Sequence, residues 1–223
     1  MDLGEAIKER RSVRKYKADR PIPQEHIEAI VEAGCWAPSS ANTQPWRFVV
    51  VTDRETIAAM AGAVHDVFQT ISKEALRRGE KRVAAFCRFV RGHGGFFADA
   101  PLVIVACAKP FEFPLLKMPT TTLVETIREI GEMEVDFEPI VVDTVQKSVA
   151  MAVQNMLLKA HSLGYGTCPM DAPIAVERTL REMLGIDDGL RLVMVVPIGI
   201  PASARVRAPE RLPVEEVTRY HQP

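Results

Sequence analysis

The chain has 223 residues, of which 47% are hydrophobic and 26% are charged, and its formal net charge is −1. A chain of this length and composition can bury a substantial core without disulfides or a structural metal. The balanced charge offers no broad basic face, which argues against a protein that binds nucleic acid or anionic lipid.

The N-terminal stretch MDLGEAIKERRS is charged and lacks the apolar core of a signal peptide. No uncharged run approaches the roughly 18 apolar residues that a membrane span needs. The four cysteines, Cys35, Cys87, Cys107 and Cys168, are widely spaced and form no CxxC pair, which predicts free thiols and no zinc site. We therefore predict a cytoplasmic protein that contacts no membrane.

Helix-like and strand-like segments alternate along the chain. Hydrophobic spacing predicts helices over residues 3–10, 24–36, 54–91 with an interruption near Gly79, 120–133, 141–163 and 173–184. The GHGG stretch at 92–95 is expected to break the helical pattern. Apolar, β-branched runs predict buried strands over residues 47–52, 101–108 and 190–200. We predict one α+β domain over residues 1–223, with residues 205–223 as an extended polar tail.

Two stretches suggest a binding site. RRSVRKY, at residues 10–16, has three arginines in five residues. A solvated helix end, a nucleic-acid-binding arm or a phosphate-binding site would each have this composition. APSSANTQPWRFVVV, at residues 37–51, has small polar groups before a buried strand. Such a loop can hydrogen-bond a flat ligand with polar edges, although an ordinary turn between helix and strand would look similar.

These stretches together resemble the nitroreductase family of flavin enzymes. The resemblance rests on RRSxR, PSSxNxQPWxF, GYGTCPMD at 164–171, and VVPIGIPAS at 195–203 followed by ERLP at 210–213. The motifs occur in the family's order and extend over nearly the whole chain. The resemblance implies a central mixed sheet, largely antiparallel and flanked by helices. It also implies a long central helix at a dimer interface and an extended C-terminal tail.

The resemblance implies bound FMN as the cofactor and NADH or NADPH as the reductant. Arg10, Arg11, Ser12 and Arg211 would bind the phosphate and ribityl chain, because guanidinium groups match phosphate geometry. Arg14 would lie at the N1–C2 carbonyl edge of the flavin, where a cation stabilises the negative charge of the reduced ring.

Two further groups of residues would contact the flavin ring. Its pyrimidine side would meet a loop that comes from the partner subunit: Pro38, Ser39, Ser40 and Asn42. Its other edge, where backbone N–H groups commonly bind N5, would meet Cys168, Pro169, Met170 and Asp171. The cofactor carries the chemistry, so we nominate no catalytic side chain and no metal. A site built from two subunits implies a homodimer, and the apolar helix at 141–163 suits its interface.

The implied reaction is ping-pong transfer from NAD(P)H through FMN to a small electron-poor acceptor such as a nitroaromatic or a quinone. A reductive dehalogenase of the iodotyrosine deiodinase-like type is one alternative, although the lid region of that branch, residues 66–91 here, contains no tyrosine. A non-catalytic flavin-binding redox sensor is another. The branch that fragments flavin commonly has aspartate at the position of Ser12, so this chain departs from it.

Several side chains that could have a role in the site are expected instead to have a structural role or to lie on the surface. Trp46 is expected to be a core residue, and Cys168 a small packing residue rather than a redox thiol. The three histidines His65, His93 and His161 share no metal-like spacing and are expected on the surface or on helices. Substrate selection is expected to rest on residues 110–138, where three phenylalanines either cover the flavin or pack the segment down: Phe111, Phe113 and Phe137.

Overall fold

The computed structural model describes residues 2–113, 118–131, 137–203 and 208–221. Its α-helices within these residues are α1 (Leu3–Glu9), α2 (Gln24–Cys35), α3 (Arg54–Arg77), α4 (Lys81–Gly94), α5 (Thr120–Ile130), α6 (Phe137–Ser162), α7 (Glu177–Leu184) and α8 (Val214–Val217). Its strands are β1 (Trp46–Val51), β2 (Leu102–Ala108), β3 (Glu112–Phe113), β4 (Met118–Pro119), β5 (Gly166–Thr167) and β6 (Arg191–Gly199).

Four strands form the central sheet in the order β1-β2-β6-β5, and every neighbouring pair is antiparallel. The register pairs Ala108 of β2 with Trp46 and Arg191 at one end of the sheet. At the other end, Leu102 of β2 pairs with Ile198, which also pairs with Thr167. A single parallel bridge joins Ser12 to Thr167, so the sheet is mixed and largely antiparallel, as predicted.

Helices cover both faces of this sheet. Alternate side chains of a strand point to opposite faces, and all seven residues of β2 are buried. Leu102, Ile104 and Ala106 face a core shared with α2 and α6. Val103, Val105 and Cys107 face a second core shared with α3 and α7. The α+β architecture with a long buried helix is therefore confirmed, and Trp46, 5% exposed, is the core residue that was expected.

The GHGG stretch does not break the helical pattern where the glycines begin. Helix α4 runs through His93 to Gly94. A Cβ atom on Gly94 would lie 3.0 Å from a methyl carbon of Val64 in α3. The lack of a side chain thus allows α4 to approach α3 closely, and this packing outweighs the low helix propensity of glycine. The predicted interruption does occur at Gly79, whose φ of 79° suits a residue without Cβ.

The single helix predicted over 173–184 is in fact two elements. A 3₁₀ turn covers Ala172–Val176, and α7 begins only at Glu177. Val176 has φ −118° and ψ 29°, which lies outside the helical range and separates the two. The expected roles of Phe113 and Phe137 lie outside the side chains that the structure describes. Phe111 is half-buried and packs against the core shared with α6.

Candidate functional site

The arginine stretch continues from α1 into an extended segment that joins the sheet. Helix α1 ends at Glu9, and Arg10 has φ −55° and ψ 132°, which turns the chain out of the helix. The amide of Val13 then donates to the carbonyl oxygen of Thr167 at 2.9 Å. Further along, Lys17 donates to Ile200 and Ala202 donates to Lys15, each at 2.9 Å. The motifs at 10–16, 164–171 and 195–203 therefore meet in one place.

Two glycines let these segments approach closely. A Cβ atom on Gly166 would lie 2.4 Å from a methyl carbon of Val13, a distance that real Cβ atoms do not tolerate. A Cβ atom on Gly199 would lie 3.0 Å from the ring of Tyr16 and 2.6 Å from Pro101. Glycine at both positions is thus required by packing of the arginine segment on the sheet.

Three arginines of this segment lack a carboxylate partner. Arg10 and Arg11 are half-buried and Arg14 is exposed. The guanidinium of Arg11 donates to the carbonyl oxygens of Lys8 and Arg10. Across the part of the chain that the structure describes, none of the three forms an ion pair with Asp or Glu. The cluster therefore carries uncompensated positive charge, which favours an anionic ligand.

Tyr16 is a residue of this site that sequence reasoning did not select. Its ring is buried, and its hydroxyl donates to the carbonyl oxygen of Val13 at 2.6 Å and lies 3.3 Å from that of Pro197. Burial raises the pKa of the Tyr16 phenol, Cys168 raises it further, and the charge of Arg14 opposes both. The neutral hydroxyl therefore ties the arginine segment to β6. A tyrosine two residues after the third arginine was the available signal.

Cys168 and Thr167 lie beneath the arginine segment. Cys168 is 3% exposed. Burial raises the pKa of its thiol, although Arg14, a hydrogen bond from Ser12 and Arg10 each act in the opposite direction. The thiol is thus protonated at neutral pH, which agrees with a packing residue. The hydroxyl oxygen of Thr167 is buried and has no hydrogen-bond partner among the described residues.

The backbone of residues 168–171 is largely committed to the sheet. The amide of Met170 donates to Val195 at 2.9 Å, and that of Cys168 donates to Pro197 at 3.4 Å. Pro169 has no N–H to offer. The Asp171 amide donates to no group in the described ranges. Of the backbone N–H groups expected to bind the flavin from this segment, the amide of Asp171 is therefore the one that is left available.

His161 adds a second unselected group to the site. It lies near the end of α6, and its Nε2 is buried without a hydrogen-bond partner among the described residues. Burial lowers the pKa of the imidazole, Glu9 raises it, and Arg10 and Arg11 lower it further. These influences place His161 close to the arginine cluster rather than on an isolated surface. Nothing in its sequence spacing indicated this, because His161 and the arginines are far apart along the chain.

The loop at 38–44 has an unusual backbone. Ala41, Asn42 and Gln44 have φ of 49°, 53° and 45°, which costs free energy for residues with a Cβ. The hydroxyl of Ser39 accepts from the amide of Gln44 at 3.0 Å, which stabilises this conformation. Pro38, Ser40 and Asn42 are exposed, so their polar groups face outward.

This loop does not meet the arginines within one protomer. It leads into Trp46, at the end of the sheet that pairs with Ala108, whereas Ser12 bridges Thr167 at the opposite end. The two ends are separated by the length of β2, about 20 Å for seven residues. The structure thus brings together Arg10–Arg14 and residues 166–171 and leaves residues 38–42 apart from them.

Arg211 also remains apart from the arginine cluster. Its guanidinium donates to the carbonyl oxygen of Glu210 at 3.1 Å, its one hydrogen bond within the described residues. The tail around it is exposed, including its large apolar side chains: Leu212, Val214, Val217 and Tyr220. Among the described residues of the tail, these large apolar side chains are left uncovered by the protomer.

The described residues also bear on metal-binding and membrane-spanning sites. They contain no group of three or more His, Cys, Asp or Glu arranged to hold a metal ion. No helix among them combines the length and the apolar character that crossing a bilayer requires.

The comparison with protein families identifies the family of the chain. The model of the nitroreductase family matches residues 7–200. The chain belongs to the nitroreductase family. The matched range contains the arginine segment, the loop at 38–44 and residues 164–171.

Curated relatives of the family extend over most of the chain. A protein of Archaeoglobus fulgidus named "Putative NADH dehydrogenase/NAD(P)H nitroreductase" is 31% identical over 86% of this chain and 81% of its own length. An iodotyrosine deiodinase of Thermotoga neapolitana is 27% identical over 98% of this chain and 97% of its own length.

Solved structures support the fold. A BluB-like flavoprotein from Clostridium difficile 630 superposes with a TM-score of 0.83 over the full length of both chains, at 24% identity. A nitroreductase with bound FMN from Bacteroides fragilis superposes with a TM-score of 0.67 at 21% identity, over 99% of this chain and 100% of that one. At these identities the likeness establishes that the nitroreductase fold is shared.

Proposed function

We propose that this protein is an FMN-dependent oxidoreductase that uses NAD(P)H to reduce a small electron-poor acceptor, such as a nitroaromatic or a quinone. The observation that carries the proposal is the pairing of the arginine segment with residues 166–171. Among the residues that the structure describes, it gathers three cations without carboxylate partners beside buried polar atoms without hydrogen-bond partners. Membership of the nitroreductase family supports the same reaction class.

The residues present fit FMN. A phosphate needs cations and hydrogen-bond donors, which Arg10, Arg11 and Ser12 supply at the end of α1. The unpartnered Thr167 hydroxyl and the His161 ring nitrogen are buried polar groups that a bound ligand can satisfy. A relative with bound FMN in its solved structure has the same fold.

When bound, FMN accepts two electrons from NAD(P)H and passes them to an acceptor, so both partners use one site in turn. The protein positions and polarises the ring. With FMN bound, Arg14 would stabilise negative charge at the N1–C2 edge, and the amide of Asp171 would be the donor available to N5. The short contacts of Val13 with Gly166 hold these two groups in fixed relation.

We infer that the remaining contacts come from a second copy of the chain. Pro38, Ser39, Ser40 and Asn42 would meet the pyrimidine side from the partner, and Arg211 would complete the phosphate site after the tail crosses to the other subunit. Exposed apolar groups support a homodimer. Trp36 is 81% exposed, the large apolar side chains of the tail are 64–80% exposed, and Met151 and Ile140 of α6 are 40% and 39% exposed.

The buried faces of α6 refine the expected interface. Val145, Val149 and Met156 are already covered by the protomer's own core. The apolar surface that α6 leaves for an interface therefore lies at Ile140 and Met151. Further large apolar side chains are exposed at Trp36, on the tail, and on α1, α3, α4 and α5. Light scattering should give twice the chain mass of 24.7 kDa.

The reaction is tested by the visible spectrum of the purified protein under anaerobic conditions. Flavin bands should be present, bleach on addition of NADPH and return when 1,4-benzoquinone follows. Bands that bleach but do not return with any acceptor would favour a redox sensor. A protein that remains colourless after incubation with FMN would refute the cofactor.

A deiodinase activity is the second candidate, supported by the relative from Thermotoga neapolitana. Helices α3 and α4 occupy the region where that branch has a lid, and residues 66–91 contain no tyrosine to grip an amino acid. Release of iodide from diiodotyrosine by the reduced protein, compared with quinone reduction under the same conditions, separates the two activities.

We further propose that the protein is cytoplasmic, since its four free cysteines suit a reducing compartment.

A further inference from the structure

A cavity lies at the end of the sheet opposite the arginine segment. Its volume is about 420 Å³, within the range of small-molecule sites. It is enclosed by the ends of β2 and β6, by α5 and by the first half of α6. Four of its apolar residues are buried even without a ligand: Ala108, Val124, Val141 and Val145. The side chain of Phe111 adds an aromatic wall.

The charged groups that line this cavity are mostly cationic. Lys109, Arg128 and Arg191 line it, against one carboxylate, that of Glu125. Lys109 and Arg191 are exposed and form no ion pair with any Asp or Glu of the described ranges. An apolar chamber with excess positive charge in its lining is complementary to a molecule that is hydrophobic at one end and anionic at the other.

The cavity adjoins the loop that we assign to the partner's flavin. The amide of Lys109 donates to the carbonyl oxygen of Pro45 at 2.8 Å, and Pro45 directly follows the 38–44 loop. If Ser40 and Asn42 reach the flavin of the other subunit, the cavity faces that flavin from the same side. A ligand held there would be next to the reacting ring.

We propose that this cavity binds the electron acceptor and selects acceptors in which an aromatic or quinonoid ring carries a carboxylate. This inference rests on the proposed function. The ring contacts Phe111 and the valines, and the carboxylate pairs with Arg191 and Lys109. For a nitro acceptor the reaction balances as ArNO₂ + NADPH + H⁺ → ArNO + NADP⁺ + H₂O.

Binding is tested first, without turnover. Calorimetric titration of the FMN-loaded protein with 2-naphthoate, which cannot be reduced by it, should show binding, and 2-naphthamide should bind about tenfold more weakly. The loss of one charge-assisted hydrogen bond has an effect of this size. Arg191→Gln should remove the preference for the acid. Arg178→Gln is the matched control, because Arg178 is an exposed arginine of α7 outside the cavity.

Two further measurements test the cavity and its charge separately. Val142→Trp tests whether the ligand occupies the cavity, and Arg191→Gln tests in turnover whether the positive charge selects the acid. Val142→Trp should fill the chamber and abolish binding of both naphthyl compounds while leaving the bound flavin spectrum unchanged. In turnover, Arg191→Gln should raise KM for 4-nitrobenzoate about tenfold or more and leave KM for 4-nitrobenzamide unchanged. Equal binding of acid and amide by a yellow protein that NADPH bleaches would overturn this inference alone. A protein that binds no FMN would overturn both.

Discussion

The side chain of Val13 occupies the space that a Cβ atom on Gly166 would need, with one methyl carbon 2.4 Å from that position. The contact is reinforced by the hydrogen bond from the Val13 amide to Thr167. Together they fix the distance between the arginines and residues 168–171. A ligand that contacts both groups therefore depends on the absence of a side chain at residue 166.

Gly166→Ala should displace the arginine segment. We expect a loss of about 1–3 kcal/mol in the free energy of unfolding, as for other overpacked positions, and at least about tenfold weaker FMN binding. Urea denaturation and fluorescence titration with FMN measure the two effects. Gly62→Ala is the control, because a Cβ atom there meets nothing within 4 Å in the interior of α3. That variant should be as stable as the parent or slightly more stable.

Tyr16→Phe should destabilise the protein by about 1–3 kcal/mol, because the carbonyl oxygen of Val13 loses its buried donor. The effect should depend on pH. Burial raises the pKa of the folded Tyr16 phenol, so its contribution is fully present below about pH 10, the ordinary pKa of tyrosine. Above that pH the unfolded chain releases the proton first, and the contribution is lost progressively as pH rises towards the folded pKa.

The measurement is the difference in urea midpoint between the parent and Tyr16→Phe at pH 8 and at pH 11. The difference should shrink at the higher pH. Other alkaline titrations, including that of Tyr165, occur in both proteins and cancel in the comparison. A difference that stays constant would show that Tyr16 ionises normally in the folded state.

Arg14→Gln should make the two-electron reduction potential of the bound flavin more negative. Loss of about 1 kcal/mol of charge stabilisation corresponds to about 20 mV. Equilibration with a reference dye under xanthine and xanthine oxidase measures the potential. Arg14→Lys should retain most of the parent potential because it retains the charge. An equal shift in both variants would mean that contact geometry, rather than charge, determines the potential.

The sequence identified the components of the site better than their positions relative to one another. The arginine segment and GYGTCPMD were recognisable because each needs particular residue types at fixed spacing. Tyr16 and His161 were missed, because their importance comes from distant parts of the chain. Tyr16 lies against the carbonyl oxygen of Pro197, and the charges of Arg10 and Arg11 act on His161.

The elements of the fold that local sequence patterns determine were predicted correctly, and those that depend on contacts with distant residues were not. Strands β1, β2 and β6 were predicted within one or two residues because apolar, β-branched runs mark buried strands. The two-residue strand β5 has no such run and is formed by pairing with Gly199 and Ile198. The end of α4 at Gly94 was misjudged because close packing on Val64, which local propensity does not encode, outweighs the glycine preference.

The central proposal is that each FMN site combines the arginines of one subunit with the 38–44 loop of the other. Two variants damage the separate halves. Arg10→Gln/Arg11→Gln removes two cations of the phosphate site. Ser40→Trp places a large side chain on an exposed loop residue, where it would block the flavin without disturbing the core. Each homodimer should bind FMN at least about tenfold more weakly than the parent.

The deciding measurement is the flavin content of the hybrid dimer formed from one copy of each variant, isolated through two different affinity tags. If the sites are shared, one site of the hybrid combines the intact arginines of the Ser40→Trp subunit with the intact loop of its partner. The hybrid should then bind one FMN per dimer at parent affinity, against two for the parent. A hybrid that binds no more FMN than the homodimers of the two variants would show that each site lies within a single subunit. That result would contradict the proposal.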